Sequence, residues 1–277
     1  NMIPLAIGSQ TGGSILRPAS FTGIFGLKPT FGTVSRAGIS AISQRLDHPG
    51  IYANTPDDIK LVASVILSYH ENDLDMDSHY VFKNESTTNS LPKFAFVEGP
   101  VWNFGEQDMQ KQIKEFVAQF PMDIETIELG DSFSEAAKCH EIIMNGSISS
   151  SLSAYYNENK SKLHPFTVNR IEAGLPVTAK EYIDAIEKAK KMQQILKSIF
   201  TKFDAIITPA APGQAPRDLM NTGNAIFNGY WTMMGVPAIS LPVLKGKDGL
   251  PIGIQVITSW NEDAKLLNIS NLIMKKI

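Results

Sequence analysis

The sequence predicts a layered α/β fold, and three observations carry that prediction. Strand-like and helix-like stretches alternate, with "KFAFVE" and "DIETIEL" each followed by a helical periodicity, over about 106–119 and from about 133; this βαβα order favours helices layered on a sheet. Two stretches, "NTPDDIKLVASVILSYH" and "TAKEYIDAIEKAKKMQQILKSIF", open with helix-capping signatures. Short apolar runs, "DAIITP", "VPAISLPV" and "LPIGIQVIT", read as buried strands.

In chain order, "NMIPLAIG" begins at once as an apolar strand, so the chain is expected to start inside a domain. A glycine loop follows, then "GIFGLKPT" as a buried strand closed by Pro29 and loop-like sequence to Pro49. Thr55 caps the next helix, with Pro56 at its first position, Asp58 three after the cap and apolar residues at 59, 62, 63, 66 and 67. Residues 71–93 are polar, and an internal boundary is expected near 84–92. Thr178 and Glu181 form a capping box at the head of the longest helix. "NAIFNGYWTMMG" is an apolar, aromatic helix, the last two strands are joined through "KGKDG", and Asn261 is expected to cap a final helix ending in lysines.

A chain of 277 residues can bury about three quarters of the surface that its unfolded form exposes. With 19% charged residues and a net charge of -3, nothing favours nucleic acid or anionic lipid as a partner. The single cysteine, Cys139, has no partner for a disulfide and there is no C-x-x-C pair, which points to a reducing compartment. No apolar run is long enough to span a bilayer and the N-terminus lacks signal-peptide features, so the expected location is the cytoplasm.

The chemistry concentrates in "GSQTGGSILRPASFTG", residues 8–23. Within three residues on either side of Ser14 there is no acid, histidine or lysine to activate a hydroxyl, so Ser14 is either only a turn residue or its activating partners come from elsewhere. A phosphate-binding P-loop requires lysine where Gly13 stands. Gly12 and Gly13 permit a tight turn in which the amides of residues 11–14 converge at the start of a helix near Ser14. Such a turn is an oxyanion hole with a hydroxyl at its rim.

This stretch, continuing through "IFGLKPTFGTVSRAGI", resembles the central motif of the amidase signature hydrolases. "LDHPGIYANTPDDIKLVASVI", "DAIITPAAPGQAP", "FNGYWTMMGVPAISLPV" and "GLPIGIQVI" are similar to later segments of that family in the same order, and the likeness is weakest over 70–170. The resemblance implies an α/β/α sandwich around a mixed β-sheet, here lacking its N-terminal part, and amide hydrolysis by a Ser–cis-Ser–Lys triad. Ser14 matches the nucleophile, and Thr11, Gly12, Gly13 and Ser14 match the oxyanion-hole donors. The family's lysine and bridging serine precede the glycine loop, so they are expected upstream of this chain, which alone should be nearly inactive. Lys28 does not match the catalytic lysine, and histidines 48, 70, 79, 140 and 164 are expected in surface or packing roles.

Gln10 stands where many members carry an acid, and Leu16 followed by Arg17 where they carry arginine. These variants resemble the stand-alone amidases more than the alternative, the glutaminase component of tRNA-dependent amidotransferases. A truncated homologue that only binds carbonyl or carboxylate ligands is the remaining alternative. The resemblance makes Phe227, Asn228 and Trp231 candidate substrate contacts and puts the "TPAAPGQAP" loop near the same mouth. It implies a small or aryl/alkyl primary amide as substrate, and no metal or organic cofactor. A sheet missing strands exposes edges, so self-association or pairing with a complementary N-terminal fragment is expected.

Overall fold

The structure is a computed structural model that describes residues 3–83 and 91–277. The first part contains β1 (Leu5–Gln10), α1 (Leu16–Thr22), β2 (Phe25–Lys28), β3 (His48–Ala53) and α2 (Pro56–Ile66). Then follow β4 (Phe94–Phe96), α3 (Gln107–Ala118), β5 (Ile124–Thr126), α4 (Ala136–Ser151), α5 (Ser153–Asn159), α6 (Pro165–Gly174) and α7 (Ala179–Phe200). The last part holds β6 (Ala205–Pro209), α8 (Ile226–Met234), β7 (Ala238–Lys245), β8 (Pro251–Ile257) and α9 (Asp263–Lys276).

Among the described residues the strands form one mixed sheet of eight, in the order β1-β3-β2-β7-β8-β6-β4-β5. Pairing is antiparallel from β1 to β6 and parallel at β6-β4-β5. Strands from both sides of the expected 84–92 boundary share this sheet; residues 84–90 of that boundary lie outside the described residues. Helices α1 and α9 both pack on β7 and β8. The centre of the core is β7, β8 and β6 with α8, where Ile239, Leu241, Ile254, Val256, Ile206, Tyr230 and Trp231 are fully buried.

The local helix signals translate directly. Thr55 accepts from the Asp58 amide at 3.1 Å, and Thr178 and Glu181 form the reciprocal capping box at the head of α7. Three expectations are corrected. Helix α1 starts at Leu16 rather than near Ser14, because the Gln10 side chain takes the first helical amides. Asn261 does not cap α9: it turns the chain in the left-handed region at φ 63°, which asparagine tolerates, and Glu262 occupies the cap position.

The stretch expected to be loop up to Pro49 contains the start of β3. Pro49 is tolerated because β2 pairs with β3 only over Ile51 to Ala53, so at Pro49 only β1 is alongside. At Gly50 a Cβ would collide with the Leu27 carbonyl oxygen and Ile15 Cδ1, so glycine is what lets β2 and α1 close on β3.

Candidate active site

Gln10 builds the glycine loop from inside. It is fully buried at the end of β1, and its Oε1 accepts the amides of Ile15 at 2.8 Å and Leu16 at 3.0 Å, the first free donors of α1. Its Nε2 donates to Thr232 Oγ1 on α8 at 2.9 Å. One side chain therefore closes residues 11–14 into a loop and ties that loop to α8. Gly13 is required by space, since a Cβ would collide with Asn228 Oδ1 and lie 2.9 Å from Ala225 Cβ. Gly12 and Gly13 are buried, whereas Ser14 is exposed.

Four consecutive carbonyls of this loop are each held by a donor. Thr11 O receives His140 Nε2 at 3.0 Å, and Gly12 O receives Thr232 Oγ1 at 2.6 Å. Gly13 O receives the Arg17 amide at 3.0 Å, and Ser14 O receives the Tyr52 hydroxyl at 2.6 Å. In a trans peptide the N–H points opposite to the preceding carbonyl, so holding the carbonyl aims the next amide. The amides of Gly12, Gly13 and Ser14 have no backbone or side-chain acceptor among the described residues. Three successive N–H groups without a partner thus stand next to the exposed Ser14, a run of donors of the kind that an anion or a polarised carbonyl can use.

The donors are in the right protonation state. Burial, helped by the Arg170 charge, holds the His140 imidazole below its usual 6.5, so the ring is neutral and Nε2 carries the hydrogen. Burial pushes the Tyr52 phenol up to about 12, so it remains a donor. The Thr11 hydroxyl is fastened separately, donating to Asp47 Oδ1 at 2.6 Å, while Asp47 Oδ2 accepts the Ile42 and Ser43 amides. Arg17 reaches away to the Gly223 carbonyl at 3.1 Å and so pins the loop after β6 beside α1.

Among the described residues no acid, histidine or lysine bonds to the Ser14 hydroxyl. Lys28 is fully buried, its Nζ donating to the carbonyls of Pro29 at 3.0 Å and Val236 at 2.5 Å, and burial lowers it to about 7. Among the described residues no group of three or more His, Cys, Asp or Glu is gathered to hold a metal ion.

Phe227, Asn228 and Trp231 all lie on α8 and are fully buried. Asn228 is brought to the loop: its Nδ2 donates to Ala210 O at 2.9 Å, and its Oδ1, beside Gly13, is buried without a partner. Trp231 stacks on Tyr230 with ring centroids 4.8 Å apart, and Phe227 packs near Gly105, so both serve the core. Sequence reasoning missed Thr232, Tyr52 and His140. Thr232 had a signal, because 225, 228 and 232 share one face of α8; Tyr52 and His140 had none.

Residues 1–267 match the Amidase family. The chain belongs to the Amidase family. The A subunit of glutamyl-tRNA(Gln) amidotransferase from Pelagibacter ubique is 31% identical over 316 residues, covering 100% of this Amidase-family chain and 64% of that protein. The chain thus spans a little under two thirds of the length of the curated relatives it matches. Among solved structures, a chain from a vestigial protein complex described as revealing the origins of an s-triazine catabolic enzyme superposes with a TM-score of 0.90 at 21% identity, covering 99% of this chain and 63% of that one. The A subunit of glutamyl-tRNA(Gln) amidotransferase from Thermotoga maritima superposes with a TM-score of 0.78 at 25% identity, covering 99% and 62%. The α/β/α fold with its mixed sheet is therefore that of the amidase signature enzymes, and the two amidotransferase relatives carry the name of the alternative reading rather than that of a stand-alone amidase.

Proposed function

We propose that this Amidase-family chain is the nucleophile-bearing portion of a serine amide hydrolase. The supporting observation is the run of unpaired amides at Gly12, Gly13 and Ser14 with the Ser14 hydroxyl exposed at its rim. In this reading Ser14 Oγ attacks the substrate carbonyl carbon, and the loop amides, Thr11 included, stabilise the negative charge that develops on the carbonyl oxygen. The Ser14 proton passes through a bridging serine to a neutral lysine, both in an upstream segment, and then to the departing amine. Water hydrolyses the resulting acyl-serine.

A small or aryl/alkyl primary amide fits this chemistry. Glutamine is the second candidate, favoured by the name of the Pelagibacter relative, whose full activity involves a tRNA-linked substrate according to that name. Residues 1–277 alone should turn over about a millionfold more slowly than the full-length protein, because loss of the activating residues of a serine triad has that cost.

The open edge at β1, where Ile3, Leu5 and Ile7 are 63%, 42% and 53% exposed and, among the described residues, the strand pairs with β3 alone, supports a complementary N-terminal segment as the partner. Among the described residues no helix is long and apolar enough to cross a membrane, and we assign the protein to the cytoplasm on its cysteine usage.

The test is a fluorophosphonate probe on the full-length protein, with the adduct mapped by mass. Labelling of Ser14 that disappears in Ser14→Ala supports the reading; undiminished labelling of Ser14→Ala overturns it. Comparing release of ammonia from glutamine and from benzamide or short alkyl amides separates the two substrate classes.

A further inference from the structure

We propose that His140 is a positioning residue of the anion-binding loop, its Nε2–H holding the Thr11 carbonyl so that the Gly12 amide is aimed at the bound carbonyl oxygen. This rests on the hydrolase reading above and adds to it a residue from α4, a helix far from the glycine motif in sequence.

The geometry isolates the effect to one peptide unit. Thr11 is already anchored through its side chain by Asp47, so His140 is not needed to keep Thr11 in place. What the 3.0 Å bond from Nε2 decides is the rotation of the Thr11–Gly12 peptide plane, and with it the direction of the Gly12 N–H. The following planes have their own holders in Thr232, the Arg17 amide and Tyr52. Among the described residues His140 is the donor to the Thr11 carbonyl, at the position where the loop leaves β1 and no helix has yet begun.

The surroundings are shaped to admit the ring. His140 is buried between α4 and α8, with Cε1 3.6 Å from where a Gly12 Cβ would stand. On the other side a Cβ at Gly229 would lie 2.7 Å from His140 Nδ1, so the glycine in the middle of α8 makes room for the imidazole. A helix-interior glycine costs about 1 kcal/mol relative to alanine, and its place against this ring gives that cost a purpose. Burial above all, with the positive charge of Arg170 adding to it, disfavours a charge on the ring and keeps the imidazole a neutral donor.

The test measures phosphonylation of Ser14 in the full-length protein at varied fluorophosphonate concentration, which separates the maximal rate from half-saturation. His140→Phe keeps a flat ring and removes the donor; His140→Leu is a second donor-free variant, and His140→Gln keeps an N–H at similar reach. The Phe and Leu variants should lower the maximal rate by about tenfold to a hundredfold with half-saturation nearly unchanged, short of the 10²–10³ for complete loss of one oxyanion donor. His140→Gln should recover most of that loss. A Phe variant at the wild-type maximal rate, or a Gln variant no faster than Phe, overturns the proposal.

If Ser14→Ala labels as wild type, the hydrolase reading is what fails. The aiming of the amide is then judged by the Gly12 signal in a 15N-glycine spectrum of the same proteins. That signal should move in His140→Phe and return in His140→Gln, and an unmoved signal overturns the proposal.

Discussion

The Tyr52 hydroxyl donates to the carbonyl of Ser14 at 2.6 Å, across strand β1. The ring can lie there because Gly8 has no side chain; a Cβ at Gly8 would stand 2.8 Å from Tyr52 Cε2. Tyr52→Phe keeps the ring and removes the holder of the Ser14–Ile15 peptide. Stability should fall by about 0.5–1.5 kcal/mol, the usual worth of one hydrogen bond. Ser14 labelling by a fluorophosphonate should slow by less than in His140→Phe, because the amide of Ile15 is already taken by Gln10. Equal slowing in the two variants would contradict this ordering.

Gln10 relays a polarity as well as capping α1. Its Nε2 donates to Thr232 Oγ1, which leaves the Thr232 hydrogen free for Gly12 O. Gln10→Glu preserves the acceptor for the Ile15 and Leu16 amides but turns the donor into a second acceptor. Thr232 must then abandon Gly12 O to satisfy the carboxylate, and one buried acceptor is left unpaired, at about 1–3 kcal/mol. A protonated carboxyl restores the donor, so the defect should be smaller at pH 5 than at pH 7.5. Urea midpoints of Gln10→Glu and wild type at the two pH values check this; a pH-independent difference would refute the relay.

Gly13→Ala should abolish Ser14 labelling, with a loss of at least about a hundredfold, the scale of one misplaced oxyanion donor. The added methyl meets Asn228 Oδ1 and Ala225 Cβ, so the loop must move away from α8 to accept it. Gly12→Ala should be milder, because the nearest atom to its Cβ position is 3.6 Å away and belongs to His140. The ratio of the two labelling rates tests the packing argument.

Acid should destabilise the fold in two windows. His48 and His140 are buried, and burial depresses both imidazoles below the usual 6.5, with Lys28 adding to the effect at His48 and Arg170 at His140. The unfolded chain therefore binds more protons than the folded chain below that pH. Stability is intact above it and is lost as pH falls, by up to about 1.4 kcal/mol per pH unit for each histidine. Asp73, held low mainly by its hydrogen bonds to Arg36, contributes in a separate window that opens only below 3.8. His48→Phe, which keeps the packing against Phe31, should reduce the pH dependence of the urea midpoint between pH 6.5 and 5 and leave the lower window unchanged.

The sequence alone determined those parts whose physics is local. The Thr178–Glu181 box and the Thr55–Asp58 cap each join residues three apart, so composition and order suffice to predict them. The Gly12-Gly13-Ser14 turn is local in the same sense, and the apolar runs of β6, β7 and β8 state their own burial. β3 was illegible because Pro49 and Gly50 are poor strand formers by themselves, and their fitness depends on where β2 stops and how close Leu27 and Ile15 come. What only the tertiary structure decided is the direction of the loop amides. Their holders Tyr52, His140 and Thr232 stand 38, 129 and 220 residues from the carbonyls they grip. A peptide plane is turned by whichever donor meets its oxygen in space, and that meeting is made by the packing of β3, α4 and α8 around the loop.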